Sequence, residues 1–337
     1  MRVLMLFDLA EQPPKSQDEA AYAADLDDEA WESEAAILAA LRRLGHDVRL
    51  FGIHDDIRIL LDELQASRPD VVFNLCEAFR SDRALEAHVP ALLELLGMKT
   101  TGARPAALAL CKDKAMSKRV VASSGVRVPR FEVSSRSSPL ASFKHVGFPA
   151  IVKPLGLESS TGISQDSLVS DEQAALERAR FVHERLGQDA IVEEYVEGRE
   201  LYVGVLGNWD CGRLEVFPPR ELFFDEVPDG DPKFATFKAK WDDAYRKKWG
   251  IRNGFAAGLG DALEKRVSDV ARAAYRALQI SGYARLDLRL TPEGELVFLE
   301  ANPNPSIARD DDFAAAAAKH GLPYDKLVAR LIKLSGA

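Results

Sequence analysis

The sequence predicts an α/β first half built on a parallel sheet, joined to an α+β second half. Three observations predict it. The first hundred residues alternate strand and helix patterns in the order βαβαβα, which requires a parallel sheet with helices on its faces. From Phe131 onward short strands dominate, with single helices between them. The length of 337 residues, at ~150 residues per domain, allows two or three domains.

The elements follow in order. Arg2–Phe7 is an apolar strand. Asp8–Glu29 is a polar, acid-rich loop carrying Pro13 and Pro14. Trp31–Leu44 has a helical pattern stopped by Gly45, a usual C-terminal signal. Asp47–Phe51 is a strand, Asp56–Ala66 a helix and Val71–Leu75 a strand. Arg83–Leu96 reads as one helix, stopped by Gly97. Helices follow at Ala106–Cys111 and Lys114–Ser123. Phe148–Lys153, Ala190–Tyr195 and Leu201–Leu206 are strands, with a helix at Asp171–Leu186 between the first two. Cys211–Arg252 mixes turns with aromatic and basic residues and shows no clear period. A helix at Asp261–Gln279, a hairpin of Tyr283–Leu290 with Leu296–Asn302, and a helix at Tyr324–Leu334 complete the chain.

Composition excludes several classes. A 47% hydrophobic and 29% charged chain is globular rather than disordered. Its net charge of −9 opposes nucleic acid and anionic membranes at long range. Cys76, Cys111 and Cys211 are scattered, with neither zinc spacing nor a disulfide framework, so a cytoplasmic location is expected. Val3–Phe7 is too short for a signal-peptide core, and no run approaches the ~20 apolar residues of a membrane span. No Gly-x-Gly-x-x-Gly follows the first strand, which disfavours a dinucleotide-dependent oxidoreductase.

Three stretches carry chemistry. In the hairpin, alternation places Arg285, Asp287 and Arg289 on one face and Phe298, Glu300 and Asn302 on a face of the other strand. The turn Pro292–Glu295 puts Asp287 opposite Glu300. Two carboxylates and an amide carbonyl form an all-oxygen donor set suited to Mg²⁺. Short charge patterns are common on sheet surfaces. Here, however, Glu300 runs straight into a proline-rich turn, Asn302–Pro305, that strand pairing does not need. Lys153 ends an apolar strand, where a cation is costly unless an anion pairs with it. The small hydroxyl-rich loop Ser159–Ser164 follows, able to bring backbone N–H groups near phosphate. Finally, Ile191–Glu200 reads as strand, acidic turn and strand. Such a hinge can offer backbone groups to an adenine edge and a Glu200 carboxylate to ribose hydroxyls.

In sequence order these pieces resemble the ATP-grasp superfamily, and most closely its D-alanine–D-alanine ligase branch. The resemblance rests on Cys111–Lys114, Phe148–Pro154, Ser159–Ser164, Val192–Glu200, Ala239–Trp241, Ala284–Asp287 and Leu299–Asn302. It implies an ATP-grasp fold with a Rossmann-like first domain over residues 1–104, a central lobe over 105–197 and a C-terminal lobe with the metal site over 198–337. It also implies an ATP-dependent carboxylate–amine ligase working through an acyl phosphate. Such chemistry needs no Ser/His/Asp or Cys/His nucleophile, and none is evident. ATP and two Mg²⁺ ions are the implied cofactors, with Mn²⁺ as an alternative.

Residue by residue, Lys114 and Lys153 resemble the phosphate lysines, and Ser159 and Ser160 belong to the phosphate loop. Glu193, Glu194, Tyr195 and Val196 resemble the adenine hinge, and Glu200 the ribose contact. Lys240 resembles the lysine that reaches the γ-phosphate. Asp287, Glu300 and Asn302 resemble the metal ligands. Arg285 resembles the arginine facing the acyl centre, and Arg285, Lys240 and Ser160 are the expected catalytic residues. Expected partners are small amino-acid or amine substrates and a second copy of the chain, with neither nucleic acid nor membrane.

The chain also departs from that branch. The Ser-Pro-Gly turn that holds the acceptor carboxylate reads Asn304-Pro-Ser306 here, followed by Asp310–Asp312. The short His-Gly segment after the third strand is replaced by Asn74–Ala78. Asp28 or Glu29 is expected near the donor's ammonium group. Glu77, Arg285, Ser306 and Asp311 are the expected substrate contacts. D-Ala-D-Ala is the best single product. An amine-bearing acceptor selected by Asp310–Asp312 and a non-catalytic ATP-binding module are the alternatives.

Overall fold

The computed structural model describes residues 1–228 and 230–337, apart from the side chain of Cys211. The first region runs β1 (Arg2–Asp8), α1 (Ala23–Leu26), α2 (Glu32–Arg43), β2 (Asp47–Ile53), α3 (Ile57–Ser67), β3 (Val71–Asn74) and α4 (His88–Leu95). Its sheet has the order β2-β1-β3, and both pairings are parallel. β1 is central, so Val3–Phe7 is buried on both faces, which is why the run is continuously apolar. The long polar loop after β1 is not featureless. It folds back around buried Tyr22, whose ring packs against Phe7 and Trp31 at centroid distances of 5.2 and 6.3 Å. The helix expected over Arg83–Leu96 is broken: a 3₁₀ turn at Arg83–Leu85 precedes α4. Pro90 explains the break, since its ring would clash with the carbonyl of Glu86 inside a continuous helix.

Next come α5 (Pro105–Lys112), α6 (Lys114–Ser123), β4 (Phe131–Ser134), β5 (Ala150–Pro154), β6 (Leu168–Val169), α7 (Glu172–Arg185) and β7 (Ala190–Glu194). The four strands form an antiparallel sheet, β4-β7-β5-β6, backed by Ala175, Ala179 and Val182 of α7. Asp171 starts α7 by accepting a bond from Ala174 N–H at 2.9 Å.

The last region contains β8 (Arg199–Asn208), β9 (Cys211–Val216), β10 (Arg220–Phe224), α8 (Phe237–Trp241), α9 (Asp243–Lys248), β11 (Ile251–Phe255), α10 (Gly260–Ala277), β12 (Tyr283–Leu290), β13 (Leu296–Pro303), α11 (Asp312–Lys319) and α12 (Tyr324–Leu334). Residues 211–252, which show no period in sequence, thus form three short strands and two short helices. The six-stranded sheet has the order β11-β10-β8-β12-β13, with β9 on β8.

Two packings cross these regions. α5 and α6 lay Ala107, Leu108, Cys111 and Val121 against Leu286, Leu288 and Phe298 of the β12–β13 hairpin. α11 packs on β8 and α12 on α2, so that Phe313, Leu327 and Leu331 join one continuous core with Val3, Met5, Leu38 and Leu41. α5 and α6 thus cover the apolar face of β12–β13, and the opposite face carries the polar residues.

Candidate active site

The β12–β13 register sets Asp287 directly across from Glu300 and Arg285 across from Asn302. The pairing slips between Asp287 and Leu288, so that Leu288 faces Phe298 and Leu299 is left as the extra residue of a bulge. The slip turns Glu300 toward Asp287. Asn302 Nδ2 lies 3.3 Å from Asp287 Oδ2. Arg285 grips Asp287 with two parallel bonds of 2.7 and 2.9 Å, and its guanidinium lies 4.7 Å from the ring centre of Tyr202. Burial pushes the Asp287 carboxyl up to about 6, against the pull of Arg285. Glu300 is half-buried, yet Lys114, Lys240, Lys153 and Lys118 together hold its carboxyl far below the usual range.

The lysines come from three elements. Lys114 opens α6 behind Asp113, whose carboxylate accepts from Ala115 and Met116 N–H at 2.9 Å. It is 5% exposed and donates to the Leu157 carbonyl. Lys153 ends β5. Lys240 lies on α8, which Thr236 caps by accepting from Ala239 N–H at 3.1 Å. Among the described residues Lys240 has no ion-pair partner, and its charge falls on both Asp287 and Glu300.

The loop between β5 and β6 is drawn over this cluster. Ser159 and Ser160 both have left-handed backbones, φ 56° and 59°. Ser160 Oγ donates to Ala235 O at 2.9 Å, Trp241 Nε1 donates to Ser159 O at 3.0 Å, and Phe237 N–H donates to Ile163 O at 3.0 Å. The cleft beneath, lined by Lys114, Lys153, Ser160, Lys240, Asp287 and Glu300, is about 50 Å³. Small-molecule sites commonly measure roughly 300–1,000 Å³, so this cleft is narrower than a nucleotide needs.

The two glutamate side chains of the hinge point in opposite directions. The Glu193 side chain does not reach the nucleotide face. It is 1% exposed and lies between Lys153 Nζ at 3.2 Å and Lys118 Nζ at 3.3 Å. Alternation along β7 turns it inward toward α6. Glu194 points the opposite way and pairs with Arg130 at 2.5 Å and Arg127 at 3.5 Å. The Glu194 and Tyr195 N–H groups already bond Arg130 O and Pro149 O, both at 2.9 Å. Val196 alone keeps an open donor among the described hinge residues. Glu200 accepts from Arg289 at 2.9 Å and from Tyr202 Oη at 3.0 Å, which fixes the carboxylate's orientation in the cleft.

Beside Arg285 a cavity of about 540 Å³ is lined by Glu77, Lys240, Asn302, Ser306, Asp310 and Asp311, among others. It adjoins a second of about 390 Å³ that contains Asp8, Ser33 and Glu34. Glu77 pairs with Arg83 at 2.6 Å, and Ser306 Oγ lies 3.2 Å from Ser33 Oγ. Asp28 and Glu29 lie outside both cavities. Asp28 caps a short turn through Ala30 N–H at 2.8 Å. Glu34, a turn further along, lines the cavity instead, and burial raises its carboxyl. The three consecutive aspartates also divide. Asp312 is held by Arg220 at 2.9 Å and Asn253 at 2.6 Å, whereas Asp310 and Asp311 have no cationic partner among the described residues.

The donor set fits a divalent cation. Asp287, Glu300 and Asn302 offer only oxygen, and Asp287 is desolvated with its charge only partly compensated. Lys118 is the residue that sequence reasoning missed. Its spacing of four from Lys114 on a helix was the available signal.

Comparison with known proteins shows the family and the fold. The D-ala D-ala ligase C-terminus family matches residues 120–333. The chain is 30% identical over 298 residues to uncharacterized protein y4sG of Sinorhizobium fredii, covering 87% of this chain and 84% of that one. It is 28% identical over 298 residues to a D-alanine–D-alanine ligase of Aquifex aeolicus, covering 88% and 92%. The fold matches a D-alanine–D-alanine ligase from Bacillus anthracis complexed with ATP, with TM-score 0.73, 19% identity, and 99% and 97% of the two chains covered. Among the described residues no helix is long and apolar enough to cross a membrane. With the family matched over most of its length and the fold over nearly all of it, the chain belongs to the D-alanine–D-alanine ligase family of ATP-grasp enzymes, ATP-dependent ligases that form C–N bonds.

Proposed function

We propose that this ligase activates an amino-acid carboxylate, with D-alanine the first candidate, and passes it to an amine whose far end is not a carboxylate. The observation behind the second half is the pair Asp310 and Asp311. They line the cavity beside Arg285 with no cation of their own. Lys240, Arg246 and Arg285 line the same cavity, but an acceptor carboxylate beside the two aspartates would meet two like charges, whereas an ammonium or neutral group would not.

In this reading Lys114, Lys153 and Lys240 hold the phosphates, and Val196 N–H and Glu200 hold adenine and ribose. Asp287, Glu300 and Asn302 would hold Mg²⁺. When bound, the metal neutralises phosphate oxygens and polarises the transferring group. The γ-phosphoryl group passes to a donor carboxylate oxygen, and ADP leaves. The amine attacks the acyl carbon, phosphate departs, and the amine's extra proton is lost. Arg285 exchanges part of its grip on Asp287 for the oxyanion of that step. Tyr202 beneath the guanidinium limits where it can move. Ser159 and Ser160 close the loop and exclude water, which would otherwise hydrolyse the acyl phosphate.

The buried free thiols of Cys76 and Cys111 support a cytoplasmic location. Exposed Leu95 and Leu96 offer an apolar patch for the expected homodimer, which light scattering would test. The function is tested by ADP release with D-alanine alone, then with D-alanine plus diamines or amino-acid amides. Turnover is expected only with the amines. Full turnover with D-alanine alone would replace this reading with D-Ala-D-Ala synthesis.

A further inference from the structure

Lys118 is fully buried, and its ammonium has two partners on different sheets. It donates to the Leu299 carbonyl of β13 at 2.5 Å and lies 3.3 Å from Glu193 of β7. The Leu299 carbonyl is available because Leu299 is the bulged residue, one position before Glu300. Glu193 in turn faces Lys153 at 3.2 Å, and both oxygens of this carboxylate are buried. Two ammonium groups therefore share one buried carboxylate.

We infer that Lys118 is a positioning residue that sets how much charge Lys153 offers to phosphate. The inference rests on the reading of Lys153 as a phosphate lysine. With Lys118 in place, Glu193 is divided between two cations, and Lys153 keeps an unmatched part of its charge for the nucleotide. Without it, Glu193 has a single counter-ion, and Lys153 is drawn onto it and away from the phosphates. The same ammonium anchors the backbone just before Glu300, so the hinge strand and the metal strand share one strut. A buried lysine is costly to desolvate, and a leucine or methionine would fill the same space more cheaply. Ordinary packing therefore does not account for a charge at this point.

The test compares Mg-ADP with adenosine, whose affinities calorimetry measures separately. Lys118→Met is expected to weaken Mg-ADP binding at least about tenfold, the usual scale for breaking a buried charge pair, while adenosine affinity stays within about twofold. Lys118→Arg should retain most of the ADP affinity. Adding Glu193→Gln to Lys118→Met should restore it, because Lys153 is released. Equal weakening of ADP and adenosine, or no recovery in the double variant, would mean that Lys118 only supports the fold, and overturns the inference. Lys153→Met separates the two levels. If it abolishes ADP binding while Lys118→Met leaves it unchanged, the coupling fails and the phosphate-lysine reading stands. If Lys153→Met changes nothing, both fail. Should Lys118→Met not fold, Glu193→Gln alone decides: ADP affinity at or above wild type supports the inference, and a tenfold loss overturns it.

Discussion

The two sides of Arg285 are built differently. On the nucleotide side several buried charges are paired, Arg285 with Asp287, Arg289 with Glu200, and Lys118 and Lys153 with Glu193, while Lys114, Lys240 and Glu300 have no ion-pair partner among the described residues. On the substrate side the cavity beside Arg285 is about ten times larger, and Asp310 and Asp311 line it, as Asp8 and Glu34 line the adjoining one, without cationic partners among the described residues. Phosphoryl transfer needs fixed charge at fixed places, whatever the substrate, so that half tolerates little variation. Recognition of a particular amine needs only that a few side chains match it, and there the chain is free to diverge.

The largest effect belongs to the nucleotide side. Asp287→Asn or Glu300→Gln should lower ADP release by about 10²–10³, the scale for removing a preorganised electrostatic group, with little change in melting temperature. Unchanged turnover in both would remove the metal assignment. Next, Asp311→Ser with Asp310→Asn should shift the ratio of kcat/KM for amine over amino-acid acceptors by roughly 10–100-fold. ADP affinity should be unmoved, and a comparable loss of ADP binding would erase the division between the two sides. A pH series probes the boundary itself. Asp287 must be ionised to hold Mg²⁺, and burial raises its carboxyl to about 6. Mg²⁺ affinity should therefore be level above that pH and fall about tenfold per unit below it. A flat profile down to pH 5 contradicts this. The smallest effect concerns the loop. Trp241→Phe removes the bond to Ser159 O, a loss of about 1 kcal/mol for such a bond. Limited proteolysis of residues 156–164 should quicken by about fivefold, and Mg-ATP should slow it in both proteins. Equal cleavage rates would show that the tryptophan does not hold the loop.

Legibility in the sequence followed the same division. Asp287, Glu300 and Lys153 could be read because strand alternation, a short turn and an apolar run each constrain a residue locally. The sense of Glu193 could not, since its partners Lys118 and Lys153 meet it only after β5, β7 and α6 are assembled. Asp312 looked equivalent to its two neighbours, and only the arrival of Arg220 from β10 set it apart. Asp28 and Glu29 were expected near the donor, but the loop before α2 folds around a mutual cluster of Phe7, Tyr22 and Trp31, and Glu34 lines the cavity instead. In each case a contact distant in sequence decided what periodicity left open.

The packing of α12 on α2 bears on how the protein is made. Leu38 and Leu41 share a buried core with Leu327 and Leu331. A ribosome delivers the first pair long before the second, so the early α2 layer must wait with part of its apolar face open. During that interval the nascent chain depends on chaperones or on slow elongation to stay out of aggregates. A stall or truncation anywhere before residue 312 would leave the same face uncovered, however well the intervening lobes had folded.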